Sequence, residues 1–139
     1  MNGKISENFA AIIVTMLAIS SILVASIAGL LNICIILSIL IIGFLYSSRY
    51  VRLKSKQPWD VLSHAVIGPL IPLAIFIGAG LNELFSVALI SFFIGALVPE
   101  IINQRYDYEI DKKNNIKTTV QLLGKSISLK LIIILALFI

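Results

Sequence analysis

The chain alternates long apolar runs with short polar segments. Runs that are uncharged or nearly so cover residues 9–28, 31–47, 61–79 and 84–102, and a last one covers 127–139. A membrane-spanning helix needs about 20 predominantly apolar residues. The first four runs meet that length or come close to it, and the last is too short. The pattern therefore predicts an all-α, polytopic transmembrane helix bundle with about four spans and a truncated fifth.

Composition supports lipid as the solvent for these runs. The chain has 139 residues, of which 59% are hydrophobic, and its mean hydropathy is +1.04. Soluble domains are about 45–50% apolar. Strands of a membrane barrel would alternate apolar and polar residues, whereas these runs are continuous, so helices are favoured. We expect residues 1–139 to form a single transmembrane domain.

The basic residues predict the orientation in the membrane. The eleven lysines and arginines lie at Lys4, in the loop of residues 48–58, or within residues 103–130, whereas the turns 29–32 and 80–83 carry none. With four crossings, the N-terminus and both charged loops fall on one side. The positive-inside rule makes that side cytoplasmic. The net charge of +4 is explained in this way, and no nucleic-acid partner is expected.

The strongest chemical signal follows the fourth predicted span. If that helix continues, Asn103, Asp107 and Asp111 share one helical face, with Glu100 nearly on it and Glu109 pointing elsewhere. Carboxylates four residues apart repel each other, and a divalent cation removes that repulsion. Mg²⁺ typically takes one or two carboxylates together with substrate phosphates. The face therefore indicates a Mg²⁺–diphosphate site, unless it is an ordinary charged helix end paired with the basic residues Arg105, Lys112 or Lys113.

Two stretches together resemble a known family. Residues 103–124 read NQRYDYEIDKKNNIKTTVQLLG, which is similar to the second aspartate-rich motif of the UbiA-type membrane prenyltransferases and its G-I-K-[ST]-T tail. Asn115 stands where the family usually has glycine, and asparagine also tolerates left-handed backbone geometry. Residues 44–63 read FLYSSRYVRLKSKQPWDVLS and resemble the family's stretch between two consecutive helices.

The resemblance implies a fold, an activity and a set of site residues. It implies a helical bundle that transfers a prenyl group from a polyprenyl diphosphate to a lipophilic acceptor, aromatic or lipid, with Mg²⁺ as cofactor. Asp107 and Asp111 would bind the metal, with Asn103 beside them. Lys117 would be catalytic and would hold the diphosphate with Lys54. The resemblance also implies that Arg49 or Arg52 assists these lysines in holding the diphosphate.

One departure from the family pattern limits that reading. The first aspartate cluster of the family is absent, and Glu7 is the only acidic residue before Asp60. We therefore expect an internal portion of the fold, whose missing N-terminal part would be a partner, and no prenyl transfer by the isolated chain. The alternative is a non-catalytic helical subunit or a decayed enzyme. A CDP-alcohol phosphatidyltransferase is disfavoured, because the D-G and A-R pairs of that motif are missing.

Two ionisable residues within predicted spans are further candidates. Glu100 and His64 would be costly to bury in lipid without partners, which makes each a candidate site residue. The simpler interpretation is that both residues are hydrogen-bonded structural residues. Glu100 would then pair with Gln104 or with a neighbouring helix.

Overall fold

The computed structural model of the chain describes residues 6–138, and for residues 82–87 it describes the backbone alone. Within that range the chain forms helices and no strands, which confirms the all-α prediction. The helices are α1 (Glu7–Ile27), α2 (Leu30–Ser47), α3 (Trp59–Gly78), α4 (Asn82–Tyr106), α5 (Tyr108–Lys113) and α6 (Thr119–Ala136), with a 3-10 turn at Leu53–Ser55. Lys4, used above for topology, lies outside the described residues.

Four of the described helices, α1, α2, α3 and α6, are long and apolar enough to cross a membrane. The predicted fourth span lies on α4, which is 25 residues long. Along α1 the one buried residue is Ala25, and side chains such as Val14 and Leu23 are exposed. So much exposed apolar surface is stable in lipid rather than in water. The chain is an integral membrane protein.

The last helix begins earlier than the hydrophobic pattern indicated. The apolar run starts at Ile127, but α6 starts at Thr119. The Thr118 side chain caps this start by accepting the backbone N–H of Gln121 at 3.3 Å. Gly124, at φ 76° and ψ 161°, then kinks the helix. Residues 119–126, which precede the apolar run, therefore form the first part of α6, and the helix is 18 residues long.

The first four helices each pack on the next one in sequence, α1 on α2, α2 on α3 and α3 on α4, and α6 packs on α4. The closest approach is between α3 and α4, where a Cβ at Gly68 would overlap the Cβ of Ala96. Pro69 and Pro72 lie inside α3 without ending it. A proline is tolerated in a transmembrane helix because neighbouring groups satisfy the freed backbone.

The buried core joins α3, α4 and α6. Val61, Ile101 and Val120 form its centre, and each is at most 5% exposed. Their sequence neighbours Asp60, Gln104 and Thr118 are buried as well. Because these polar residues sit beside the core, the core fixes the position of the site described next.

Candidate functional site

A cavity of about 290 Å³ lies at the end of the bundle where α2 and α4 finish. It contains four of the residues that the sequence predicted for the site: Lys54, Asn103, Asp107 and Asp111. Its other lining residues are Tyr46, Glu100, Gln104, Ile116 and Thr118. Lys54 of the basic loop and the two aspartates therefore line the same cavity, although Lys54 and Asp107 lie 53 positions apart in the sequence.

The two aspartates keep a helical relationship across a break in the helix. α4 ends at Tyr106, and Asp107 is the residue that separates it from α5. The backbone N–H of Asp107 nevertheless donates to the carbonyl of Asn103 at 3.0 Å, and that of Asp111 to the carbonyl of Asp107 at 2.8 Å. Asn103, Asp107 and Asp111 therefore remain on the same side and line one cavity, as their four-residue spacing predicts.

Neither aspartate forms an ion pair with a described residue. Arg105, a possible partner in the sequence, instead donates to the backbone carbonyl of Lys125 and to the Ser128 hydroxyl, the latter at 2.9 Å. Lys125 pairs with Glu109 at 2.6 Å, outside the cavity. Partial burial, and secondly the charge of Asp107, raise the pKa of Asp111. The aspartates thus bring negative charge to the cavity, and neither of them is ion-paired with a described side chain.

The chain turns back after the aspartates through a left-handed residue. Asn115 has φ 55°, its N–H donates to the carbonyl of Lys112 at 3.3 Å, and the N–H of Ile116 donates to that of Asp111 at 2.9 Å. This is the Schellman arrangement that ends many helices. The expectation that Asn115 replaces glycine in left-handed geometry is confirmed. The turn brings Ile116 and Thr118 to the cavity wall.

The basic loop places one of its three predicted cations at the cavity. Arg52 adopts left-handed geometry, with φ 49°, just before the 3-10 turn. The N–H and the hydroxyl of Ser55 both donate to the Arg52 carbonyl at 3.0 Å. Lys54, held within this turn, lines the cavity. Arg49 and Arg52 are exposed and line none of the described cavities.

Lys117 lies in a neighbouring cavity rather than with the aspartates. That cavity, of about 340 Å³, is lined by Lys117 together with Lys112, Asn115 and Gln121, among others. Ile116 lines both cavities and forms part of the wall between them. The sequence placed Lys117 close to the aspartates because it follows Asp111 by six residues, but in the structure Thr118 lines the aspartate cavity and Lys117 lines the adjoining one.

Buried polar side chains of α3 and α4 hold the start of α6 beside the cavity. Asp60, which is 0% exposed, accepts the backbone N–H and the hydroxyl of Thr119, each at 2.5 Å. Gln104 accepts the N–H of Val120 at 3.2 Å. Two of the free N–H groups of the first turn are thus satisfied by side chains from α3 and α4. The contact between Asp60 and Thr119 was not predicted from the sequence.

Glu100 is surrounded by donors from three helices. The Gln104 amide donates to it at 3.0 Å, as the simpler interpretation expected, and the Tyr46 hydroxyl donates at 3.3 Å. His64 Nε2 lies 3.5 Å from the carboxylate, and the His64 and Tyr46 rings meet edge to face with centroids 4.8 Å apart. The sequence analysis missed Tyr46 as a cavity residue.

The donor set limits what metal the cavity can hold. Within the described residues there is no group of three or more His, Cys, Asp or Glu side chains arranged for a metal ion. A closed zinc site, which needs three or four protein ligands, is therefore not formed by them. Two carboxylates in a polar cavity fit Mg²⁺, which keeps waters and shares its coordination with substrate phosphates.

Comparison with known proteins identifies the family of the chain. No curated protein and no solved structure matches the chain. The profile of the UbiA prenyltransferase family, in contrast, matches residues 1–139, which is the whole chain. This match covers both motif stretches from which the resemblance was drawn. The chain, a helical membrane protein, therefore belongs to the UbiA prenyltransferase family.

Proposed function

We propose that this chain binds a polyprenyl diphosphate through Mg²⁺ at Asp107 and Asp111, for transfer of the prenyl group to a lipophilic acceptor. Membership of the family supports a prenyltransferase-type role in general. The observation that carries the finer proposal is the cavity itself. The carboxylates of Asp107 and Asp111, one turn apart, line it together with Lys54, and no described basic residue forms an ion pair with either aspartate.

Asp107 and Asp111 would hold the metal, and Asn103 lies one turn before them. When bound, Mg²⁺ would neutralise the charge that develops on the leaving diphosphate. The pair of carboxylates alone would repel an anionic substrate, so the proposal requires a cation at this position. Burial, and secondly the neighbouring charge of Asp107, raise the pKa of Asp111, because both disfavour the ionised form of its carboxyl.

Lys54 would bind the diphosphate oxygens that the metal leaves free. A lysine presents three donors and a positive charge, which become more valuable as the carbon–oxygen bond of the substrate breaks and charge moves onto the diphosphate. Lys117 lines the adjoining cavity. We assign it the outer part of the diphosphate, with Arg49 and Arg52 supplying long-range attraction from the exposed loop.

The surrounding helices would keep water from the reacting carbon. Ile116 closes one side of the cavity, and the buried core of Val61, Ile101 and Val120 lies beneath it. An allylic centre that loses diphosphate is electron-poor and reacts with water wherever water is present. An apolar bundle open to lipid would admit a lipophilic acceptor in preference to water.

The direct test is binding of geranylgeranyl diphosphate to the full chain in lipid nanodiscs. We expect binding that depends on Mg²⁺ and is lost on chelation. Asp107→Asn and Asp111→Asn should each weaken it about tenfold or more, since each removes a charged ligand. Glu109→Gln is the matched control, because Glu109 lies between the two aspartates in sequence but bonds Lys125 at 2.6 Å.

The outcomes separate the proposal from its alternatives. Equal binding by the three variants and the unsubstituted chain, or binding that ignores chelation, would overturn the proposed metal site. No detectable binding in any form would favour a non-catalytic membrane subunit. Binding without turnover would leave the site assignment intact and would agree with the expected inactivity of the chain on its own.

We further propose that the N-terminus and both charged loops face the cytoplasm, as the positive-inside rule indicates. The chain has one cysteine, Cys34, so Cys34→Ser gives a background for site-directed labelling. In intact cells, Gly80→Cys should react with an impermeant maleimide and Lys56→Cys should not. The reverse pattern would overturn the orientation.

A further inference from the structure

Glu100 is a buried acid in the aspartate cavity that the proposed Mg²⁺–diphosphate complex does not use. The residue is 9% exposed and lines the cavity together with Asp107 and Asp111. An acidic group within a membrane-spanning segment is costly, and such groups mark candidate functional positions. The proposed metal site already has its two carboxylates, so the presence of a third acid in the same cavity needs its own explanation.

Glu100 lies deeper in the bundle than the two aspartates. It belongs to α4, and the end of that helix at Tyr106 leads directly to Asp107 and the charged segment. Glu100 and Asp107 are seven positions apart, which corresponds to about 10 Å along a helix. Residues at this spacing return to nearly the same helical face. Because both residues line one cavity, the cavity extends from the aspartates inward to Glu100.

A polyprenyl diphosphate bound at the aspartates would have its reacting carbon on the side of Glu100. The diphosphate is charged and is assigned to Asp107 and Asp111, whereas the hydrocarbon tail belongs in the bilayer. The carbon that carries the diphosphate oxygen therefore lies inward of the aspartates. When this carbon–oxygen bond breaks, the electron pair stays with the oxygen and the allylic carbon becomes positively charged. A carboxylate fixed beside that carbon stabilises the developing charge without having to reorganise.

The carboxylate of Glu100 is held in place by side chains from three helices. Its Oε1 accepts the Gln104 amide at 3.0 Å and the Tyr46 hydroxyl at 3.3 Å. Its Oε2 lies 3.5 Å from His64 Nε2, and His64 Nδ1 lies 3.3 Å from the carbonyl of Asp60. A carbonyl can only accept, so in the neutral ring the hydrogen is on Nδ1 and Nε2 has none to donate. The neutral histidine therefore leaves the negative charge of Glu100 in place.

We propose that Glu100 is a catalytic residue that stabilises the positive charge on the prenyl carbon while its bond to the diphosphate breaks. This inference rests on the proposed function, because the diphosphate site at Asp107 and Asp111 sets the position of that carbon. The cavity then has a metal-binding outer end and a cation-stabilising inner end. Tyr46 and Gln104 are positioning residues, since they act through the carboxylate of Glu100.

The test uses geranylgeranylamine as a probe of positive charge at the position of the reacting carbon. At pH 8 a primary ammonium group keeps its proton, whereas a histidine with an ordinary pKa is neutral. The full chain in phosphatidylcholine nanodiscs is saturated with Mg²⁺ and pyrophosphate to occupy the aspartates, and empty nanodiscs give the background. Geranylgeraniol, which has the same hydrocarbon and no charge, is the reference. We expect the amine to bind about tenfold more tightly or better, as for a hydrogen bond to a charged group.

Glu100→Gln is the decisive variant, because it keeps the shape of the side chain and removes its charge. It should abolish the preference for the amine over the alcohol. Glu109→Gln, which removes an exposed carboxylate outside the cavity, is the matched control and should retain the preference. Tyr46→Phe removes one hydrogen bond to Oε1 and should reduce the preference in part. It decides the matter if Glu100→Gln does not fold, because an unchanged preference in Tyr46→Phe would then contradict the proposal.

Two results would overturn the inference while leaving the proposed diphosphate site intact. They are equal binding of amine and alcohol by the unsubstituted chain, and a preference that persists in Glu100→Gln but is lost in Asp107→Asn. Failure of the proposed function looks different, because geranylgeranyl diphosphate binding would then be independent of Mg²⁺ and of Asp107. In that case a preference that depends on Glu100 would identify a cation site, and its catalytic assignment would be wrong.

Discussion

The carboxylate of Asp60 in α3 receives both the backbone N–H and the hydroxyl of Thr119, the first residue of α6, at 2.5 Å each. The two residues are 59 positions apart. An acidic group at a helix N-terminus is favoured by the unsatisfied N–H groups and by the helix dipole. This contact fixes where α6 starts, and through Thr118 it fixes one wall of the aspartate cavity.

Replacing Asp60 should therefore destabilise the bundle. Asp60→Asn removes the negative charge that strengthens both hydrogen bonds and complements the N-terminus of α6, so we expect unfolding to become easier by about 1–3 kcal/mol. Thr119→Val, which removes only the hydroxyl, should cost less. Thermal unfolding in nanodiscs measures both. Glu109→Gln, on the exposed ion pair with Lys125, is the control, and a larger effect there than at Asp60 would contradict the assignment.

The lysines should differ in importance according to the cavity they line. Lys54→Met should weaken geranylgeranyl diphosphate binding by about 10- to 100-fold, the value of a charged hydrogen bond. Lys117→Met should have a smaller effect, because Lys117 lies in the adjoining cavity. Lys56→Met, from the same loop as Lys54 but outside both cavities, should bind normally. If Lys117→Met had the larger effect, the diphosphate would have to sit on the other side of Ile116.

The contact between α3 and α4 gives a prediction about packing. Gly68→Ala should destabilise the chain by about 1–3 kcal/mol, because the added methyl group overlaps Ala96 and the two helices must separate. Gly95→Ala, on α4, is the matched change at a position where a Cβ has nothing within 4 Å. It should be neutral or slightly stabilising. Equal effects of the two substitutions on the melting temperature would contradict this packing.

The charge of Asp111 should favour binding of the proposed Mg²⁺ but lower the free energy of unfolding of the metal-free chain. Its folded-state pKa is raised, by burial first and by Asp107 second. A raised carboxyl pKa means that the folded state holds the proton more tightly than the unfolded state. Stability is therefore lost as pH rises from the ordinary aspartate pKa, about 3.9, through the raised value.

It follows that Asp111→Asn should melt at a higher temperature than the unsubstituted chain at neutral pH without Mg²⁺. The gain should disappear below the ordinary aspartate pKa, where Asp111 is protonated in both states. Thermal unfolding as a function of pH measures the difference. A variant that is less stable at neutral pH would show that Asp111 has a favourable partner in the apo fold.

The sequence by itself determined the helical membrane fold, the approximate limits of the first three spans and the shared face of Asn103, Asp107 and Asp111. These properties are local: continuous apolar runs require helices in lipid, and residues four apart share a helical face. The left-handed turn at Asn115 was likewise foreseeable from the residue type.

Only the tertiary structure decided which distant side chains meet. Lys54 lines the cavity of the aspartates, whereas Lys117 lines the adjoining one. The start of α6 at Thr119 depends on Asp60 and Gln104, two partners from other helices. Such contacts depend on how helices pack, and an apolar run specifies that a helix is buried in lipid without specifying which neighbour it touches.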